Sequence, residues 1–198
     1  MITLYHRART RSTRFIFLLE ELGAPYRIQR VGTRMHDGSG GPDALNPHPH
    51  GKVPAIADDG EVVFESSAIA LYLTDKYPEN RLGPRAGEAG RGAYLSWLAY
   101  YTGVMEPAFM MKFMNVETPR VTAGWVPSGE VIEVLGRALA DRPFLLGESF
   151  SAVDVLYGTT FAMFAGSPLL PDAPLLQAYA QRVVTRPAHA RAQALDAG

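Results

Sequence analysis

The segment Phe64-Glu65-Ser66-Ser67-Ala68-Ile69 sets an acid and two hydroxyls where an apolar strand gives way to helical spacing. A helix beginning there presents unpaired N–H groups and the positive end of its dipole, a site for a carboxylate, while Glu65 can pair with an ammonium. Together these would hold the head of an α-amino acid; the competing reading is a helix capped by Ser66 with Glu65 in water. Lys52, twelve residues before Phe64, opens Lys52-Val53-Pro54-Ala55-Ile56. A proline heading an apolar strand cannot donate to the sheet, so it sits at an edge or a strand start. Such an edge can pair with an extended peptide ligand. An ordinary strand-start proline is the alternative.

Further chemistry gathers at the chain's beginning. Residues 1 to 36 carry seven arginines against Glu20 and Glu21, a charge of +5 that leaves −6 for the rest. A basic mouth for an anionic ligand fits this better than a transit peptide, because the stretch overlaps the first strand and helix of the fold. The net charge of −1 argues against a nucleic-acid partner. No cysteine is present, which excludes a catalytic protein thiol, a CxxC redox pair and thiolate metal ligation. Any sulfur chemistry must use a ligand's sulfur. His48 and His50, two apart on a loop without nearby carboxylates, make a poor metal site, so no metal is expected. No apolar run reaches the roughly 20 residues that span a bilayer, and no signal-peptide core is seen. The expectation is a cytoplasmic protein without membrane contact.

The elements that must position these groups follow from periodicity. Ile2 to Tyr5 alternates as a strand. Phe15, Leu18, Leu19 and Leu22 mark an amphipathic helix from Ser12 that stops at Gly23 and Pro25, and Tyr26 to Val31 alternates again. This is a β-α-β start, which favours a parallel pair. Residues 32 to 51 read as a long loop with one helical turn near Pro42 to Leu45. Val53 to Ala57 and Val62 to Phe64 form a hairpin about Asp58-Asp59-Gly60, and Glu65 to Tyr77 is helical up to Pro78. Beyond the connector everything reads as helix: Ala86 to Asn115 kinked near Pro107, Ser128 to Ala140, Ala152 to Phe164, Pro174 to Thr185, and a short turn after Pro187. The expected architecture is an α/β domain over residues 1–80 followed by an all-helical bundle domain over residues 81–198.

Taken together, Ser12 to Tyr26, Gly51 to Ile56 and Phe64 to Leu73 resemble the glutathione transferase family, and the Ser151-Ala152-Val153-Asp154 capping box is similar to the family's buried helix cap. The resemblance implies a thioredoxin-like first domain, glutathione as co-substrate, a small hydrophobic electrophile bound mostly by the helical domain, and a homodimer. Val53 would pair its backbone with the cysteinyl unit beside a cis-Pro54. Glu65 and Ser66 would hold the γ-glutamyl head. Lys52, with His48 or His50, would face the glycine carboxylate. Activation requires a donor aimed at the glutathione sulfur, because a thiol of pKa about 8.5 is only a few per cent ionised at pH 7. Thr10 aligns best with the serine of serine-type members; Ser12 is the other candidate, or serves only as a helix cap, and Arg9 and Arg11 can favour the anion electrostatically. Tyr5 is expected to pack on the sheet. A binding module without turnover and a glutathione-dependent peroxidase or disulfide reductase remain alternatives. The aromatic and methionine-rich stretch from Tyr100 to Met114 reads either as core or as an apolar pocket.

Overall fold

A computed structural model describes every residue except His36, Pro171, Asp172 and Gly198. Four short strands, β1 (Ile2–His6), β2 (Tyr26–Arg30), β3 (Ala55–Asp58) and β4 (Glu61–Phe64), form one mixed sheet in the order β2-β1-β3-β4. β1 and β2 run parallel, joined by helix α1 (Thr13–Leu22), and the other two pairings are antiparallel. This is the βαβ-ββα order expected, completed by α2 (Ser66–Lys76). Gly23, at φ 57°, ends α1 in the left-handed conformation that glycine adopts without steric cost. Ile2, Leu4, Ile56, Phe15, Leu19 and Ile69 are all buried in the core of this unit.

The sheet register decides what lies together. Tyr5 is paired with Ala55, and Ala55 with Phe64. Three chain segments therefore meet at one end of the sheet: the loop that follows β1, the Val53-Pro54 approach to β3, and the Glu65-Ser66 passage from β4 into α2.

The chain divides into two compact units, Met1–Asn80 together with the chain from Arg186 onward, and Arg81–Thr185. The expectation from the sequence is one helical domain over residues 81–198 with only a short turn after Pro187. Instead α8 (Pro187–Ala197) is a full helix packed on α1. Its inward residues, Ala188, Ala192 and Asp196, stand four apart, but two are small and the third is charged, so no apolar stripe announces the face. Arg186 clasps Glu21 through two contacts of 2.7 and 2.8 Å, and Arg191 reaches Glu20 at 2.6 Å.

The second unit contains α3 (Arg91–Tyr100), α4 (Glu106–Phe113), α5 (Ser128–Ala138), α6 (Ala152–Phe164) and α7 (Pro174–Val184). The single helix expected over Ala86–Asn115 starts later, at Arg91, and widens into a π-turn over Tyr101–Met105. Pro107 is the physical cause: it has no N–H for the carbonyl four residues back and its ring crowds that carbonyl, so the preceding turn loosens. The capping box at the start of α6 forms as expected, and Asp154 accepts four bonds there, from Leu145 N–H, Ser151 N–H, Ser151 O–H and Tyr179 O–H, at 2.8 to 3.0 Å. Burial pushes the Asp154 carboxyl above the ordinary value while those donors pull it down. The methionine-rich stretch splits by exposure, Tyr101, Met105 and Phe109 being core and Met110, Phe113 and Met114 exposed. Among the described residues no helix is long and apolar enough to cross a membrane.

Candidate active site

Glu65 stands at the N-cap of α2 with φ 72° and ψ 130°, and no side chain caps the helix. The competing reading, a helix capped by Ser66, is not what forms: Ser66 is the first helical residue and is buried. A left-handed Glu65 turns the strand into the helix within one residue, so the turn and not a hydroxyl sets the helix start. A non-glycine residue at such φ carries backbone strain, a feature that clusters at ligand sites. The first N–H groups of α2 consequently follow directly on a residue with an exposed carboxylate.

The Val53-Pro54 bond is cis, and Val53 precedes the strand ladder, which begins at Ala55. Asn46 holds this approach in place by donating to the Lys52 carbonyl at 3.0 Å. Lys52 is exposed and lines a cavity of about 430 Å³ with Arg34, Gly41, Pro42, Pro49, His50 and Gly51. Arg34 and His50 line the same cavity as Lys52. Arg34 was counted in the sequence only as part of the basic start; nothing in the local pattern marks it, because the loop from Gly32 to Leu45 is folded back by Asp43, which accepts from both Gly32 N–H and Leu45 N–H.

His48 belongs elsewhere. Its Nδ1 accepts the His50 N–H at 3.1 Å, and its Nε2 stands 4.0 Å from Glu65 Oε1. It is buried, outside the lining of the cationic cavity, and its ring lies against Phe64. Burial keeps its pKa below the ordinary value, with Glu65 pulling the other way. His48 thus lies beside Glu65, while His50 lines the cavity.

The loop after β1 separates the two hydroxyl candidates. Ser12 is fully buried and, although it sits at the N-cap of α1, makes no capping bond. Its Oγ lies 2.8 Å from His6 Nδ1 and 2.8 Å from Thr10 Oγ1, and it accepts the Arg7 N–H at 3.2 Å. Thr10 is half-buried and donates to the Arg7 carbonyl at 2.7 Å. Of the pair, Thr10 has a face open to a ligand. Arg11 is exposed and Arg9, at φ 58°, donates its N–H to both oxygens of Asp196 at 3.2 Å. Arg7 is committed to the loop, its guanidinium bound to Thr33 O and Oγ1 at 2.8 and 2.9 Å. His6 and Asp196 escaped the sequence reading: one lies within a strand, the other 184 residues beyond Ser12 in an alanine-rich segment.

A family model described as the N-terminal domain of glutathione S-transferases matches residues 10–76, from Thr10 to the end of α2. Glutathione S-transferase 3 of Schizosaccharomyces pombe is 36% identical over 107 residues, 54% of this chain and 43% of that protein. The chain is similar to glutathione transferases along its length. Disulfide-bond oxidoreductase YfcG of Escherichia coli is 29% identical across 97% of this chain and 94% of its own. A sphingomonad glutathione S-transferase solved in complex with glutathione is similar at a TM-score of 0.77, with 26% identity and 98% of each chain covered. The matched part spans under half of the fission-yeast protein and nearly all of the Escherichia coli one.

Proposed function

We propose that this protein binds reduced glutathione, holds it as the thiolate and directs the sulfur to a small hydrophobic electrophile. The observation that carries the reading is the Tyr5-Ala55-Phe64 register, which gathers the Thr10 loop, Val53-Pro54 and Glu65-Ser66 at one end of the sheet. Val53 pairs its backbone with the cysteinyl unit next to Pro54, and Glu65 with Ser66 holds the γ-glutamyl ammonium and carboxylate. Lys52, with His50 and Arg34, meets the glycine carboxylate. Thr10 donates to the thiolate; Arg11 adds a positive field, which favours the anion. Ser12 acts behind Thr10 rather than on the sulfur. Rate gain comes from orientation and from forming the nucleophile. The molecule acts in the cytoplasm, as a homodimer.

Thioether formation from reduced glutathione and an activated aryl halide tests this. Thr10→Val lowers kcat/KM, by at most about threefold for each half-unit rise in the bound-thiol pKa, the full factor being reached at pH values below that pKa. Glu65→Gln raises KM for glutathione with little change in kcat. Unchanged constants in both variants would contradict the assignment.

A second reading is favoured by the similarity to the Escherichia coli disulfide-bond oxidoreductase over nearly the whole of both chains. In a chain without cysteine, two glutathiones would reduce a small disulfide, giving glutathione disulfide and two thiols. Stoichiometric glutathione disulfide, formed with a small disulfide and no thioether formed with the halide, would favour it.

A further inference from the structure

Behind the Thr10 loop lies a buried row of groups that thiol binding alone does not require. Asp196 Oδ1 stands 3.3 Å from His6 Nε2, His6 Nδ1 stands 2.8 Å from Ser12 Oγ, and Ser12 Oγ stands 2.8 Å from Thr10 Oγ1. His6 and Ser12 are 0% exposed and Asp196 6%. Among the described residues His6 Nε2 makes no hydrogen bond of good geometry, and the Asp196 carboxylate stands at ion-pair distance from it. Asp196 is itself fixed by Arg9 N–H and Thr13 O–H, and Arg30 holds the carbonyls of Leu195 and Asp196 at the end of α8. The order carboxylate, imidazole, hydroxyl is that by which a serine is deprotonated in hydrolases, extended here by one further hydroxyl.

We infer that this row is a proton relay that takes the glutathione thiol proton inward to His6, with Asp196 holding the imidazole in the orientation that receives it. The inference rests on the reading that Thr10 meets the glutathione sulfur. Before transfer His6 carries its proton on Nε2, facing Asp196; Ser12 and Thr10 both turn from the Arg7 carbonyl, 3.1 and 2.7 Å away, Ser12 to donate to Nδ1 and Thr10 to donate to Ser12. The S–H proton then passes to Thr10 Oγ1, the Thr10 proton to Ser12, and the Ser12 proton to His6 Nδ1. The S–H bond breaks, the sulfur keeps the electron pair, and one N–H bond forms. Afterwards each donor points outward, His6 to Ser12, Ser12 to Thr10, Thr10 to the sulfur, which leaves the thiolate in a hydrogen bond at the end of an aligned chain. Net charge inside the site is unchanged, because thiolate and imidazolium appear together. When the thioether leaves, the proton returns along the same groups to water at half-exposed Thr10.

His6 and Asp196 touch no reacting atom, so they are positioning residues acting through Ser12 and Thr10. The charged groups facing His6 are Asp196 from α8, which favours its protonation, and Arg30 from β2, which opposes it; burial outweighs both and keeps the imidazole neutral and receptive in the free protein.

Counting protons tests the relay. Reduced glutathione is titrated into the protein at pH 7 in two buffers of different ionisation heat, which gives protons released, while ultraviolet absorbance gives thiolate formed. The relay predicts clearly fewer than one proton released per thiolate. In His6→Asn, which retains a polar group near the Nδ1 position but cannot hold the proton, the ratio rises to one and the bound-thiol pKa goes up by a unit or more, with the melting temperature showing whether the fold is kept. Asp196→Asn moves the ratio in the same direction and provides a second variant should the first fail to fold. One proton released per thiolate in the wild type overturns the relay and leaves the activation reading standing. Binding without any thiolate overturns the activation reading, and the relay with it.

Discussion

Two hydroxyls two residues apart, Thr10 and Ser12, have opposite fates because of partners distant in sequence. Ser12 is enclosed by His6, Arg7 and Thr10, whereas Thr10 keeps an open face. Local sequence offers both as equivalent donors in a basic loop; the six-residue return to His6 is what buries one of them. Replacing Thr10 by Val should therefore raise the bound glutathione pKa by more than about half a unit, measured by thiolate absorbance, with little loss of stability. Ser12→Ala should instead cost about 1–3 kcal/mol in denaturant unfolding, since it strands His6 Nδ1 and the Arg7 N–H without their shared partner. His6 adds a pH dependence. Its folded pKa lies below the ordinary value through burial, so the unfolded chain takes up a proton that the folded chain refuses. Stability of the free protein should fall as pH drops through about 6.5, and His6→Asn should flatten that limb of the melting-temperature profile.

At the scale of elements, the strands, α1, α2 and the capping box of α6 were legible because period and punctuation agree: alternation in β1, the Gly23 stop, the Asp-Gly hairpin, the Ser151-x-x-Asp154 spacing. The π-turn before α4 was only partly so. Pro107 announces a disturbance, but its effect falls on the preceding turn, where the sequence from Tyr101 to Met105 still reads as ordinary helix. Close packing of α6 on α7 was not legible at all. A Cβ on Gly158 would come within 2.5 to 2.7 Å of three Val183 side-chain atoms, so this glycine permits the approach of the two helices. Gly158→Ala should destabilise by about 1–3 kcal/mol despite the better helix propensity of alanine, and Val183→Ala in the same chain should recover part of the loss. Recovery would appear as a melting temperature above that of the single Gly158 variant.

The whole molecule joins its two chain ends in one unit, since α8 lies on α1 and supplies Asp196 to the loop that follows β1. That joining was invisible to a reading that followed apolar stripes, because α8 turns alanine and aspartate inward. Glu21→Ala, which removes the paired contact with Arg186, should cost about 1–2 kcal/mol in unfolding. The most direct measurement of the central claim is a titration of the purified protein with reduced glutathione at pH 7, following heat and thiolate absorbance together. Saturable binding accompanied by thiolate formation is the predicted result. Binding without thiolate would contradict activation by the Thr10 loop, and absence of binding would contradict the roles given to Val53, Glu65 and Ser66.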